Sequence, residues 1–157
     1  MGKEYPQRKS PRYKDYDYNL PGYYFITTCI KDRIGLFGKI INEKMFLNKT
    51  GFIVQKHLLN LPKYYLNCEL DCYVIMPDHV HSIIIVNPIV GDGLPVPYGK
   101  NGSITDMMGY FKYQSTKEIN ESLNTPGKKI WQRSFYDHII LNEKELYYIR
   151  NDKLNLP

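Results

Sequence analysis

The block Tyr73-Val-Ile-Met-Pro-Asp-His-Val-His-Ser-Ile-Ile-Ile-Val86 constrains the fold more than any other part of the chain. It reads as two strands, Glu69 to Met76 and His79 to Val86, joined at Pro77-Asp78, where proline and aspartate favour a turn. Apolar residues on both faces of the second strand predict a central place in a sheet. Side chains alternate along a strand, so His79 and His81 project from one face and Val80 from the other. Two imidazoles at one spot can hold a divalent metal, but at least one further ligand must come from another element. The plainer reading of the pair is a polar sheet edge or packed core histidines.

Other segments frame this hairpin. Gly22 to Ile30, dense in aromatic and β-branched residues, predicts a buried strand. Leu36 to Leu47 predicts a hairpin turning at Asn42-Glu43. Thr50 is placed to cap a helix running to about Asn60, with Val54, Leu58 and Leu61 on one face and Pro62 closing it. Asn87 to Gly102, rich in proline and glycine, predicts a long loop. Ser103-Ile-Thr-Asp106 resembles a capping box, opening a helix to about Leu123 whose Ile104, Met108, Phe111, Ser115 and Ile119 share a stripe while Lys112 and Lys117 face solvent. Ile130 to Ile140 predicts a last extended segment, and Asn142 to Glu145 caps a terminal helix ending near Pro157. The order is α+β, and the leading arrangement is a ferredoxin-like antiparallel sheet of four to five strands with helices packed on it.

A chain of 157 residues suits one domain, here residues 20–157, preceded by a basic, tyrosine-rich and flexible leader at 1–19. Lysine and arginine outnumber aspartate and glutamate 21 to 16, and four of the net five positive charges sit in the first fourteen residues. Arg8, Lys9 and Arg12 lie among Tyr5, Tyr13, Tyr16 and Tyr18, a mixture that suits a nucleic-acid single strand, although a solvated leader has the same composition. The longest strongly apolar run, Ile83 to Val86, is far short of the roughly 20 residues of a membrane helix, so a cytoplasmic protein without a membrane partner is expected. Cys29, Cys68 and Cys72 read as reduced and structural, since the Cys68 to Cys72 spacing lacks the second pair a zinc site requires.

Several segments in order carry a family resemblance: the Tyr73 to Val86 block, Gly22-Tyr-Tyr-Phe-Ile-Thr-Thr28, the helix from Ser103 to Lys112, and Ile130 to Ile140 followed by Asn142 to Leu146. Over residues 20 to 157 the chain resembles the HUH single-tyrosine transposases, the insertion-sequence enzymes and their REP-associated relatives. The resemblance implies that His79 and His81, with a third polar ligand, hold Mg or Mn against a scissile phosphate. It implies attack by a tyrosine of the terminal helix, giving a 5′-phosphotyrosine and a free 3′ hydroxyl. It further implies single-stranded or hairpin DNA as substrate and a homodimer as the working form.

The C-terminus departs from that pattern. Where relatives carry a motif like Ile-Arg-Glu-Tyr-Ile-x-x-Asn-Pro, Asp152 stands at the tyrosine position and Leu156 at the asparagine position. Tyr148, one helical turn earlier, is the candidate nucleophile, and Asp152 or Asn155 the candidate third ligand. Candidate DNA contacts are Arg8, Lys9, Arg12, Lys112, Lys117 and Arg133. His57 reads as a surface histidine, His138 as structural support, and Trp131 as a core anchor or a base-stacking ring. Two rival readings are a non-catalytic single-stranded DNA or RNA binding module and a metal-dependent hydrolase of small phosphoesters.

Overall fold

The computed structural model describes residues 16–89 and 99–154. Arg8, Lys9, Arg12 and Asn155 lie outside them, as does the middle of the loop after Asn87. The elements are β1 (Gly22–Cys29), β2 (Gly38–Ile41), β3 (Lys44–Leu47), α1 (Lys49–Tyr64), β4 (Cys68–Ile75), β5 (His79–Val86), α2 (Ile104–Leu123), β6 (Tyr136–Ile140) and α3 (Glu143–Tyr148). The main sheet has the order β4-β5-β1-β6 with every neighbouring pair antiparallel. Setting aside the separate β2–β3 hairpin, this is the ferredoxin-like strand-helix-strand-strand-helix-strand arrangement. The sheet therefore has four strands, and β5 is interior, as its two apolar faces require.

The two faces of the sheet have different covers. Tyr24 and Ile26 of β1 and Val80, Ile84 and Val86 of β5 are buried against α1 and α2, together with Val54, Leu58, Leu61, Met107, Met108 and Phe111. The opposite face buries Phe25, Ile83 and Ile140 under Ile149 and Leu154 of the C-terminal segment. A bulge in β4 moves the pairing from Leu70↔Ile84 to Cys72↔Ile83, so one extra residue, Asp71, enters that strand. Alternation is inverted across it: Leu70 packs toward the helices, and Cys72 and Val74 pack toward the C-terminal segment.

Several boundaries differ from the sequence reading for local reasons. The cap of α1 is Asn48, whose side chain accepts from the Gly51 N–H at 2.9 Å, not Thr50, which is buried. Gly51 itself lets α1 dock closely, since a Cβ there would lie 2.2 Å from the carbonyl oxygen of Phe37. The helix runs through Pro62 to Tyr64, because a proline in the last turn removes one donor without stopping the chain, and Tyr65 N–H still reaches the Leu61 carbonyl at 2.8 Å. Asn42 and Glu43 take φ of 50° and 65°, the left-handed pair of a tight hairpin turn, without the glycine that usually marks it. Only Tyr136–Ile140 of the last extended segment is strand; Trp131 instead forms an isolated antiparallel bridge to Ile30.

The α2 capping box forms as read, with Ser103 Oγ accepting from Asp106 N–H and Asp106 accepting from Ser103 N–H. Lys112 does not face solvent: its ammonium donates to the carbonyls of Gln132 and Ser134 at 2.9 and 2.8 Å, and so fixes the segment before β6. Trp131 is a core residue whose indole N–H donates to Ser115 Oγ at 3.0 Å. Tyr16 and Tyr18 pack against this same core, and Tyr18 donates to Asp137 at 3.2 Å. His57 is not a surface residue; its Nε2 meets Glu118 of α2 at 2.5 Å, and the same carboxylate holds Lys56.

Candidate metal and nucleic-acid site

β5 places His79 and His81 on the sheet face that the C-terminal segment covers, at the end of the strands where β1 finishes and β6 begins. The two rings are edge to face with centroids 4.7 Å apart. His81 also stacks on Phe25 of β1, with centroids 5.4 Å apart and planes 19° from parallel. Its Nδ1 pairs with the hydroxyl of Thr27, directly across the strand pair, at 2.8 Å.

His79 Nδ1 lies 2.6 Å from Asp78 Oδ1, while Asp78 Oδ2 takes the guanidinium Nε of Arg33 at 2.9 Å. Burial alone would raise the Asp78 carboxyl, but the His79 hydrogen bond and the Arg33 charge outweigh it and hold the group below its usual value. With Nδ1 engaged in each ring, Nε2 is the nitrogen each would present to a metal. A carboxylate or hydroxyl behind a ligating imidazole is the arrangement that fixes its tautomer and raises its basicity. Histidine nitrogens with water and phosphate oxygens are a donor set that Mn accepts readily, and Mg tolerates.

Among the described residues no group of three or more histidine, cysteine, aspartate or glutamate side chains comes together, so two ligand positions are defined and a third carboxylate is not. Asp152 is exposed, and it has no hydrogen bond, ion pair or ring contact with either histidine. Tyr148 is 53% exposed and likewise makes no such contact with the pair. Cys29, Cys68 and Cys72 are free thiols, and burial pushes those of Cys68 and Cys72 up to about 12, which makes both poor ligands and poor nucleophiles.

The C-terminal segment crosses the site face from β6 to β4. At its start Asn142 accepts from Glu145 N–H at 2.8 Å, and the Glu145 carboxylate, held low by the Leu141 N–H and then by His138, ties α3 to β6. At its other end Arg150 Nε donates to Asp71 at 2.7 Å, and a second nitrogen completes a two-point grip on that carboxylate. In place of one α-helix to the terminus, the chain widens into a π turn over Ile149–Lys153. Ile149 and Leu154, five residues apart, are both buried on the sheet, and a π turn is the geometry that aligns that spacing. The bulge that inserts Asp71 and this wide turn carried no sequence motif.

Arg133 and Lys117 are exposed, Arg133 near the end of β1 and Lys117 on α2. No helix among the described residues is long and apolar enough to cross a membrane.

Two solved structures share the fold. One is a REP-associated tyrosine transposase bound to a REP hairpin, with a TM-score of 0.58, 20% identity, and coverage of 90% of this chain and 73% of that one. The other is a candidate transposase of Deinococcus radiodurans, with a TM-score of 0.50, 17% identity, and coverage of 88% and 92%. The chain thus has a transposase-like α+β fold. No family model matches it. It is 36% identical over 161 residues to an uncharacterized protein of Haemophilus influenzae, covering 94% of this chain and 88% of the relative, and it belongs to the same family as that protein.

Proposed function

We propose that this protein is an HUH-type transposase relative that binds single-stranded or hairpin DNA and acts on it at a metal held by His79 and His81. The observation that carries the reading is the pair itself: two imidazoles from alternate strand positions, centroids 4.7 Å apart, each braced from behind by a polar side chain, beneath the C-terminal segment. The metal, Mg or Mn, supplies Lewis-acid polarisation of a phosphodiester when bound. The fold shared with a transposase seen on a REP hairpin supports DNA as the polymer.

The nucleophile in this reading is Tyr148. Its phenol oxygen attacks phosphorus, forming a P–O bond to tyrosine and breaking the bond to the 3′ oxygen, which leaves as a hydroxyl after taking a proton; the phenol proton passes to solvent. Asp152 then stands near the reacting strand as an oxygen ligand or base, and Asn155 is the other candidate ligand. Homodimer formation belongs to the same reading. The exposed, uncoupled position of Tyr148 favours a second possibility, a degenerate member that binds single-stranded DNA or RNA without cutting it.

A labelled hairpin oligonucleotide incubated with the protein and Mn tests both. A covalent adduct that survives SDS and disappears in Tyr148→Phe supports strand transfer. Salt-sensitive binding without an adduct supports the degenerate member, and turnover of a small phosphoester without DNA points to the hydrolase.

A further inference from the structure

The segment between α2 and β6 builds a basic groove that the histidine pair does not use. Lys31 N–H donates to the Ile130 carbonyl at 2.8 Å and Gln132 N–H to the Cys29 carbonyl at 2.9 Å, so Ile130 to Gln132 runs beside the end of β1. Cys29 pairs with His79 on its other side. At about 4.8 Å per strand, the backbone of Gln132 is roughly 10 Å from that of His79.

A cavity of about 650 Å³ opens there, lined by Lys31, Asp32, Lys129, Trp131, Gln132 and Arg133. An adjoining cleft of about 350 Å³ shares Lys129, Trp131 and Gln132 and adds Lys128 and Tyr113 of α2. Lys31, Lys128, Lys129 and Arg133 form no ion pair among the described residues, against the single carboxylate of Asp32. Tyr113 is 65% exposed, an aromatic ring in the cleft it shares with Lys128 and Lys129. Fixed positive charge along a groove with an exposed aromatic ring is the surface that a single strand needs: phosphates to be neutralised and bases to be stacked.

We infer that this groove, on the helix side of the sheet, is a track for single-stranded DNA that rounds the end of β1 toward His79 and His81 on the other face, with Lys31, Lys128, Lys129 and Arg133 on phosphates and Tyr113 on a base. The inference rests on the DNA-binding reading above. An apolar partner is disfavoured by the cations, and an acidic protein surface would leave Tyr113 without a role.

Fluorescence anisotropy with a labelled single-stranded 20-mer over a salt series tests it. Lys128→Gln/Lys129→Gln/Arg133→Gln is expected to bind at least ten-fold more weakly at low salt than wild type, with the slope of log affinity against log salt reduced by about 2, near 0.7 per lost cation. Lys39→Gln/Lys44→Gln/Lys49→Gln, which removes the same charge on and beside the β2–β3 hairpin, is expected to stay within three-fold. Tyr113→Ala is expected to lose about ten-fold and Tyr113→Phe to bind as wild type does. If wild type binds and the groove and hairpin variants weaken equally or not at all, the groove is not the track and the DNA reading survives. If wild type does not bind the strand at any salt, the DNA reading fails and the groove falls with it.

Discussion

Asp78 and His79, neighbours in sequence, are also partners through their side chains, with Oδ1 and Nδ1 2.6 Å apart and Arg33 closing the other side of the carboxylate. The turn that joins the two strands of the site hairpin thus also orients its first imidazole. Asp78→Asn keeps the turn and removes the charge behind the ring. Mn affinity is expected to fall about ten- to hundred-fold, the usual loss for an outer partner of a metal ligand. Calorimetric titration of folded variant and wild type reads this directly, and equal affinities would separate Asp78 from metal binding.

Asp71 and Arg150 hold the C-terminal segment across the sheet. The Asp71 carboxyl lies below its ordinary value of 3.8 because Arg150 hydrogen-bonds its charged form. A group depressed in the folded state adds stability above its unfolded pKa and loses it as pH falls through the folded one. Asp71→Asn is therefore expected to cost about 1 kcal/mol at pH 7, discounted for the partly exposed arginine, and less at pH 2. Urea unfolding at the two pH values measures the gap; a gap that stays constant with pH contradicts the assignment.

Lys112 should behave as a structural residue. Lys112→Met strands two carbonyls that its ammonium now satisfies and is expected to destabilise the fold by about 1.5 to 3 kcal/mol. Lys117→Met, on the exposed side of the same helix, is expected to change stability by less than about 0.5 kcal/mol. Similar midpoints in thermal unfolding for the two variants would count against the distinction.

Trp131 anchors the middle of α2, at Phe111 and Ser115, to the segment that carries the basic groove. Trp131→Ala is expected to cost about 3 to 5 kcal/mol through the cavity it leaves, and Ser115→Ala about 1 to 3 kcal/mol through an indole N–H without an acceptor. Chemical denaturation monitored by far-ultraviolet dichroism measures both, and a Ser115→Ala variant as stable as wild type would show that Trp131 finds another acceptor.

Much of the fold was legible because its signals are local. Apolar residues on both faces placed β5 inside the sheet, alternation put its two histidines on one face, and the Ser103–Asp106 box set the start of α2. What escaped depends on residues distant in sequence. Lys112 is drawn inward by carbonyls 20 and 22 positions later. His57 is held by Glu118, 61 positions away on another helix. The β4 bulge has no residue pattern of its own; it is visible only in the register with β5, and Asp71 owes its grip on Arg150 to it. At the site, alternation gave the imidazoles a shared face but could not give their separation, or the Thr27 and Asp78 side chains that brace them.

Manganese binding by the wild-type protein and by His79→Ala/His81→Ala, followed by the electron paramagnetic resonance of the free ion, probes the centre of this account. One ion per chain bound by wild type and released in the double variant, with the fold retained in both, is the predicted result. Equal uptake by the two proteins, or none by either, would contradict it.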